Sequence, residues 1–92
     1  MIERRVTIGS RVGLHARPAS LFVQRVNQMP IEVTIAKNGA QAVDARSIMS
    51  VLSLNIASGE EVVLTTPADG AEEMMDSLSA LLTADLDAVG NE

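Results

Sequence analysis

Hydrophobic and polar positions follow two periods along this chain, and their alternation divides it into seven elements. From Glu3 to Ile8 apolar and polar residues alternate, with Val6 and Ile8 on one side, as in a half-buried strand. Gly9-Ser10-Arg11-Val12-Gly13 breaks that run. From Pro18 to about Gln28 the apolar residues Ala19, Phe22, Val23 and Val26 form one stripe of an amphipathic helix. Leu21 falls off the stripe and is expected at the surface, and Pro30 stops the helix. Ile31, Val33 and Ile35 alternate with Glu32, Thr34 and Ala36 as a second strand. Asn38-Gly39 predicts a hairpin turn, with Gln41 to Ala45 as the short return strand.

Ser47 is placed to cap a second helix, in which Ile48, Met49, Val51, Leu52, Leu54 and Ile56 lie nearly all round. So apolar a short helix is either buried on most sides or partly exposed for a partner. After a turn at Ala57-Ser58-Gly59-Glu60, the β-branched-rich segment Glu61 to Thr66 predicts a strand. A loop follows in which Asp69 is a candidate cap. The third helix is expected from Ala71 to about Val89, with Met74, Met75, Leu78, Leu81, Leu82, Leu86 and Val89 on its stripe. Glu72 and Glu73 suit its positive end. The order is β-α-β-β-α-β-α. Alternating strands leave one sheet face to solvent and helices cover the other, giving a two-layer α+β domain over residues 1–92.

Composition narrows what this domain can do. There is no cysteine and one histidine, so neither a disulfide framework nor a thiolate- or histidine-based metal site is expected, and no cofactor is called for. Phe22 is the only aromatic residue, which argues against nucleic-acid recognition by base stacking. No apolar run is long enough for a signal peptide or membrane span, and a cytoplasmic protein that does not insert into the membrane is the expectation. The net charge of −5 is uneven: residues 1–46 carry seven basic and three acidic residues, residues 47–92 nine acidic and none basic. One reading is a solvated acidic face on the last helix. Another is a positive rim of Arg11, Arg17, Arg25 and Arg46 facing an acidic partner.

Reactive chemistry concentrates in Val12-Gly13-Leu14-His15-Ala16-Arg17-Pro18-Ala19-Ser20. Proline is tolerated in a first helical turn, so His15 stands just before or at a helix N-terminus. The unpaired N–H groups and the dipole there favour an anion. Arg17 adds a forked cation suited to phosphate oxygens. The positive helix end disfavours imidazolium, so the neutral, nucleophilic form of His15 is expected there. Nucleophile, backbone donors and cation together describe a histidine able to carry a phosphoryl group. Ser20 could hydrogen-bond near such a site, but a helical serine facing solvent is the plainer reading.

Leu14-His15-Ala16-Arg17-Pro18-Ala19 resembles the phosphohistidine motif of the HPr family, the small phosphocarriers of the bacterial phosphoenolpyruvate-dependent sugar phosphotransferase system. Ser47-Ile48-Met49-Ser50-Val51-Leu52-Ser53-Leu54 resembles the family's regulatory serine segment, so the likeness spans almost the whole chain. The resemblance implies an open-faced β-sandwich, a four-stranded antiparallel sheet with three helices on one face. It implies a carrier without turnover of its own. His15 would accept a phosphoryl group on Nδ1 from phospho-Enzyme I and pass it to the IIA units of sugar permeases. Ala16 and Arg17 would bind the phosphate, and Leu21, Ile48, Met49 and Leu52 would dock both partners.

In some bacteria the serine matching Ser47 is phosphorylated by a kinase/phosphorylase, which adds a transcription regulator to the partners. Ser50 and Arg46 depart from the regulated pattern, where glycine and lysine are common. Related carriers in nitrogen control and dihydroxyacetone phosphorylation share the histidine motif, and the sequence does not separate them. A monomer is expected.

Overall fold

The computed structural model describes residues 1–37 and 39–84, with Ala16 described by its backbone. Four strands make one antiparallel sheet in the order β1-β4-β2-β3: β1 (Ile2–Thr7), β2 (Thr34–Lys37), β3 (Val43–Asp44) and β4 (Glu61–Thr66). Strand β4 lies between β1, where Val6 pairs Val62, and β2, where Ile35 pairs Leu64. Three helices, α1 (Ala16–Asn27), α2 (Ile48–Ser53) and α3 (Glu72–Thr83), cover one face. This is the open-faced arrangement expected.

Period two decides which strand side chains face the helices. Ile2 and Val6, Ile35, and Val62, Leu64 and Thr66 are buried, while Glu3, Arg5 and Thr7 are exposed. From the helices come Ala19, Phe22, Val23 and Val26 of α1 and Met75, Leu78 and Leu82 of α3. The whole predicted α1 stripe is therefore core. Arg4, on the inward side of β1, turns its guanidinium to Asp76 of α3 at 3.0 Å and so keeps its charge paired at the edge of the core.

Several boundaries differ from expectation. Helix α1 begins two residues before Pro18, because proline fits anywhere in a first turn whose N–H groups lack intrahelical partners. Ile31 and Val33 precede β2; Val33 is buried as the alternation requires, but ladder pairing begins at Thr34. The return strand has shrunk to Val43 and Asp44. Its turn is closed by the Ala40 N–H donating to the Lys37 carbonyl at 2.8 Å, with Gly39 at φ +80°; Asn38 lies outside the described residues. Asp69 does not cap α3: the cap position is Ala71, and Asp69 instead lies 3.6 Å from the terminal amino group of Met1. Leu86 and Val89 lie outside the described residues. Leu21 is half-buried rather than exposed, beside a shallow groove it lines with Gln24, Arg25, Gln28 and Leu81 of α3.

Candidate phosphoryl-acceptor site

The approach to α1 is tied down at several points. The Gly9 N–H donates to the Leu82 carbonyl at 3.0 Å, the Gly13 N–H to Ser10 at 3.1 Å, and the Leu14 N–H to Ile56 at 3.0 Å. Gly13 has φ +76°, and a Cβ there would collide with the Ile56 carbonyl oxygen, so both the conformation and the close approach call for glycine. Leu14 is fully buried and pins the next residue.

That next residue is His15, the N-cap of α1. Its backbone is extended, with φ −130° and ψ 167°, its side chain is half-buried, and it makes no capping hydrogen bond. Ala16 and Arg17 are the first two helical residues. Their N–H groups fall among those a helix leaves without an intrahelical acceptor. No acidic residue occupies this first turn, and the Arg17 side chain is exposed. The positive end of α1 thus carries an imidazole and a guanidinium, with no capping hydrogen bond from the His15 side chain and no acidic residue in the helix's own first turn. Ser20 sits one turn on, where its Oγ accepts from Gln24 Nε2 at 3.3 Å.

The second predicted motif begins differently. Ser47 caps α2 and its Oγ accepts from the Ser50 N–H at 3.3 Å. Of the apolar residues in α2 only Val51 is buried, whereas Met49 is 75% exposed and Ile48 and Leu52 are each 37% exposed. The spacing of Ile48, Met49 and Leu52 puts them together on one face. The choice left open by the sequence, between a buried helix and one offered to a partner, is therefore settled towards exposure. Helix α2 packs on α1 and β3, so its outward face lies beside the helix that starts at His15. Asn27 of α1 ties down the segment that leads into α2, its Nδ2 donating to the Arg46 carbonyl at 3.1 Å as well as to the Val23 carbonyl at 2.9 Å.

The rim of four arginines is less available than composition suggested. Arg46 donates through Nε and Nη2 to Asp44 at 3.1 and 3.3 Å, and Arg25 donates to Ser77 Oγ at 3.0 Å. The Arg46 side chain and its backbone N–H hold the Asp44 carboxyl below its ordinary value. One exposed apolar residue escaped the sequence reading. Val12, 51% exposed in the loop before His15, falls in no period that could have signalled it.

The chain thus combines a four-stranded sheet with helices on one face, a histidine at a helix start and an exposed apolar helix face beside it. Residues 2–84 match the family described as "PTS HPr component phosphorylation site", and the chain belongs to this HPr family of the phosphotransferase system. It is 45% identical over 87 residues to the phosphocarrier protein HPr of Streptomyces coelicolor, covering 95% of this chain and 94% of that one. Among solved structures it superposes on HPr of Bacillus anthracis with TM-score 0.82 at 38% identity, covering 88% and 95% of the two chains. It also superposes on the catabolite-repression protein Crh of Bacillus subtilis, described as a domain-swapped dimer, with TM-score 0.67 at 36% identity, covering 89% and 93%.

Proposed function

We propose that this chain carries a phosphoryl group on His15, taken from phospho-Enzyme I and handed to the IIA units of sugar permeases. The observation that carries the reading is the start of α1, where His15 and Arg17 flank N–H groups that the His15 side chain does not cap and that no acid of the first turn faces. A lone pair of the imidazole, Nδ1 in the family resemblance, attacks phosphorus while the bond to the donor breaks. Arg17 and the N–H groups of Ala16 and Arg17 take up the charge on the phosphoryl oxygens. The chain acts as a carrier without turnover of its own, in the cytoplasm and as a monomer. Among the described residues no helix is long and apolar enough to cross a membrane.

Leu21, Ile48, Met49 and Leu52 dock donor and acceptor in turn. A small aliphatic patch suits partners that must leave again, because transient interfaces are small and lack large aromatic anchors. A second reading, regulation through phosphorylation of Ser47 by a kinase/phosphorylase and contact with a transcription regulator, draws on the likeness to Crh and on the place of Ser47 beside Ile48 and Met49. His15 favours the relay as the main role.

The test is incubation with phosphoenolpyruvate and a bacterial Enzyme I, read by intact mass. One acid-labile, alkali-stable phosphoryl group is expected, absent from a folded His15→Ala variant. Unchanged labelling of that variant would sink the assignment. Equilibrium sedimentation checks the monomer, and ATP with a serine kinase, against Ser47→Ala, checks the second reading.

A further inference from the structure

The loop that delivers His15 leans on one segment, Asn55–Glu60, which follows α2. Besides the Leu14 bond to Ile56 and the close seat of Gly13 on Ile56 and Ala57, the Ile8 N–H donates to the Glu60 carbonyl and the Gly59 N–H to the Ile8 carbonyl, both at 2.9 Å. The segment thus touches the approach to His15 at both ends, and its shape sets where Leu14, and so His15, is held.

That shape begins at a left-handed residue, Asn55 at φ +52°, which ends α2 directly after its C-cap and donates its N–H to the Leu52 carbonyl at 3.1 Å. Two side chains hold the segment, one from the sheet and one at its own far end. Lys37, the last residue of β2, donates from Nζ to the Asn55 carbonyl at 3.2 Å. Glu60, just before β4, accepts the Ala57 N–H at 2.7 Å and lies 3.3 Å from Lys37 Nζ. The Ala57 bond is short and charge-assisted. The same contacts, the Ala57 N–H first and Lys37 after it, hold the Glu60 carboxyl below its ordinary value, so near neutral pH it is ionised and the grip is complete.

We propose that Lys37 and Glu60 are positioning residues for the reaction at His15, acting through Asn55, Ala57 and the Ile56–Leu14 hydrogen bond. The proposal rests on His15 as the phosphoryl acceptor. In-line phosphoryl transfer demands placement of the nucleophile to a fraction of an ångström, and distant residues that set such placement alter the maximal rate rather than binding. A pair that merely stabilised its turn would leave the chemistry of the folded protein untouched.

The experiment uses the full chain as acceptor for Enzyme I charged with phosphoenolpyruvate, with folding checked by circular dichroism. For Glu60→Ala the maximal rate of acceptance is expected to fall about tenfold, with the apparent KM for phospho-Enzyme I within about twofold of the parent. Glu60→Gln, whose Oε1 can still accept from Ala57, should recover most of the rate. Lys37→Met, which leaves the Ala57 bond in place, should show a smaller loss, and it carries the kinetic test if Glu60→Ala fails to fold. In the unphosphorylated protein, Glu60→Gln should leave hydrogen exchange at the Leu14 amide slow. Glu60→Ala or Lys37→Met should speed it without speeding exchange in β4.

An unchanged maximal rate in folded Glu60→Ala and Lys37→Met overturns the proposal. So does a loss lying wholly in KM, or Glu60→Gln faring no better than Glu60→Ala. A parent protein that takes up no phosphoryl group overturns the reading of His15 and the rate claim together. The Leu14 exchange then separately reports whether the grip holds the loop.

Discussion

Helices α1 and α2 pack against each other and begin in opposite ways. At α1 the cap is His15, whose side chain satisfies none of the N–H groups behind it; at α2 the cap is Ser47, whose hydroxyl accepts the Ser50 N–H. The difference follows from how each helix is held. Four apolar residues in the stripe of α1 are buried, so packing sustains this helix and its start can be left open to a ligand. Helix α2 is six residues long and buries only Val51, so it leans on its cap while its apolar face stays outside. A third solution closes the picture: α3 sets Glu72 and Glu73 against its own positive end. One dipole physics is thus met in three ways: a start without a side-chain cap, a hydroxyl cap and a pair of acids in the first turn.

The comparison breaks most sharply if α1 is made to resemble α3. Arg17→Glu puts a carboxylate in the open first turn, and the rate of phosphoryl acceptance should fall about a hundredfold or more in a protein with an unchanged circular dichroism spectrum. A rate within twofold of the parent would remove Arg17 from the site. At α2, Ser47→Asp places a charge beside the exposed apolar face proposed for docking. Its apparent KM for phospho-Enzyme I should exceed that of Ser47→Ala by about fivefold, and equal values would sever the cap from docking. Met49→Ser should raise the same KM by about threefold and leave stability to urea within about 0.5 kcal/mol, because Met49 is mostly in solvent. Stability lost with no change in KM would make Met49 a packing residue instead.

Smaller effects concern stability. Ser47→Ala should cost about 1 kcal/mol in urea denaturation, the usual worth of a cap, and no loss would mean that the Ser50 bond is idle. Asp44 and Glu60 both sit below their ordinary values of 3.8 and 4.5. A carboxyl depressed in the folded state adds stability that is fully present above its ordinary value and is lost as pH falls through the depressed one. The urea midpoint should therefore fall on acidification below those values, and Glu60→Gln should show a shallower fall. An identical profile in that variant would deny Glu60 any part.

Much of this was legible along the chain because burial follows periodicity. The stripe Ala19, Phe22, Val23 and Val26 is core residue for residue, and the strand Glu61 to Thr66 has the bounds expected. Patterning was weaker where backbone pairing rather than burial decides. Val33 alternates correctly yet lies before the ladder, and only two residues of the return strand find partners. Asp69 had the chemistry of a cap but stands two residues ahead of the cap position. The site divided in the same way. Helix-start chemistry marked His15 and Arg17, while the Asp44–Arg46 and Arg25–Ser77 bonds that engage two arginines of the supposed basic rim were invisible.

What the sequence determined by itself was local: which segments have a helical or strand period, which residues suit a helix start, and that the one histidine stands at such a start. Those features depend on neighbours a few positions away, and a linear pattern records them. Tertiary structure alone decided that α2 turns Met49 outward rather than burying it, that α1 and α2 lie side by side, and that Lys37 and Glu60 meet at the segment on which Leu14 rests. Each of these brings together groups far apart in the chain, and no local period encodes such a meeting. It arises only when sheet pairing and core packing are satisfied at once.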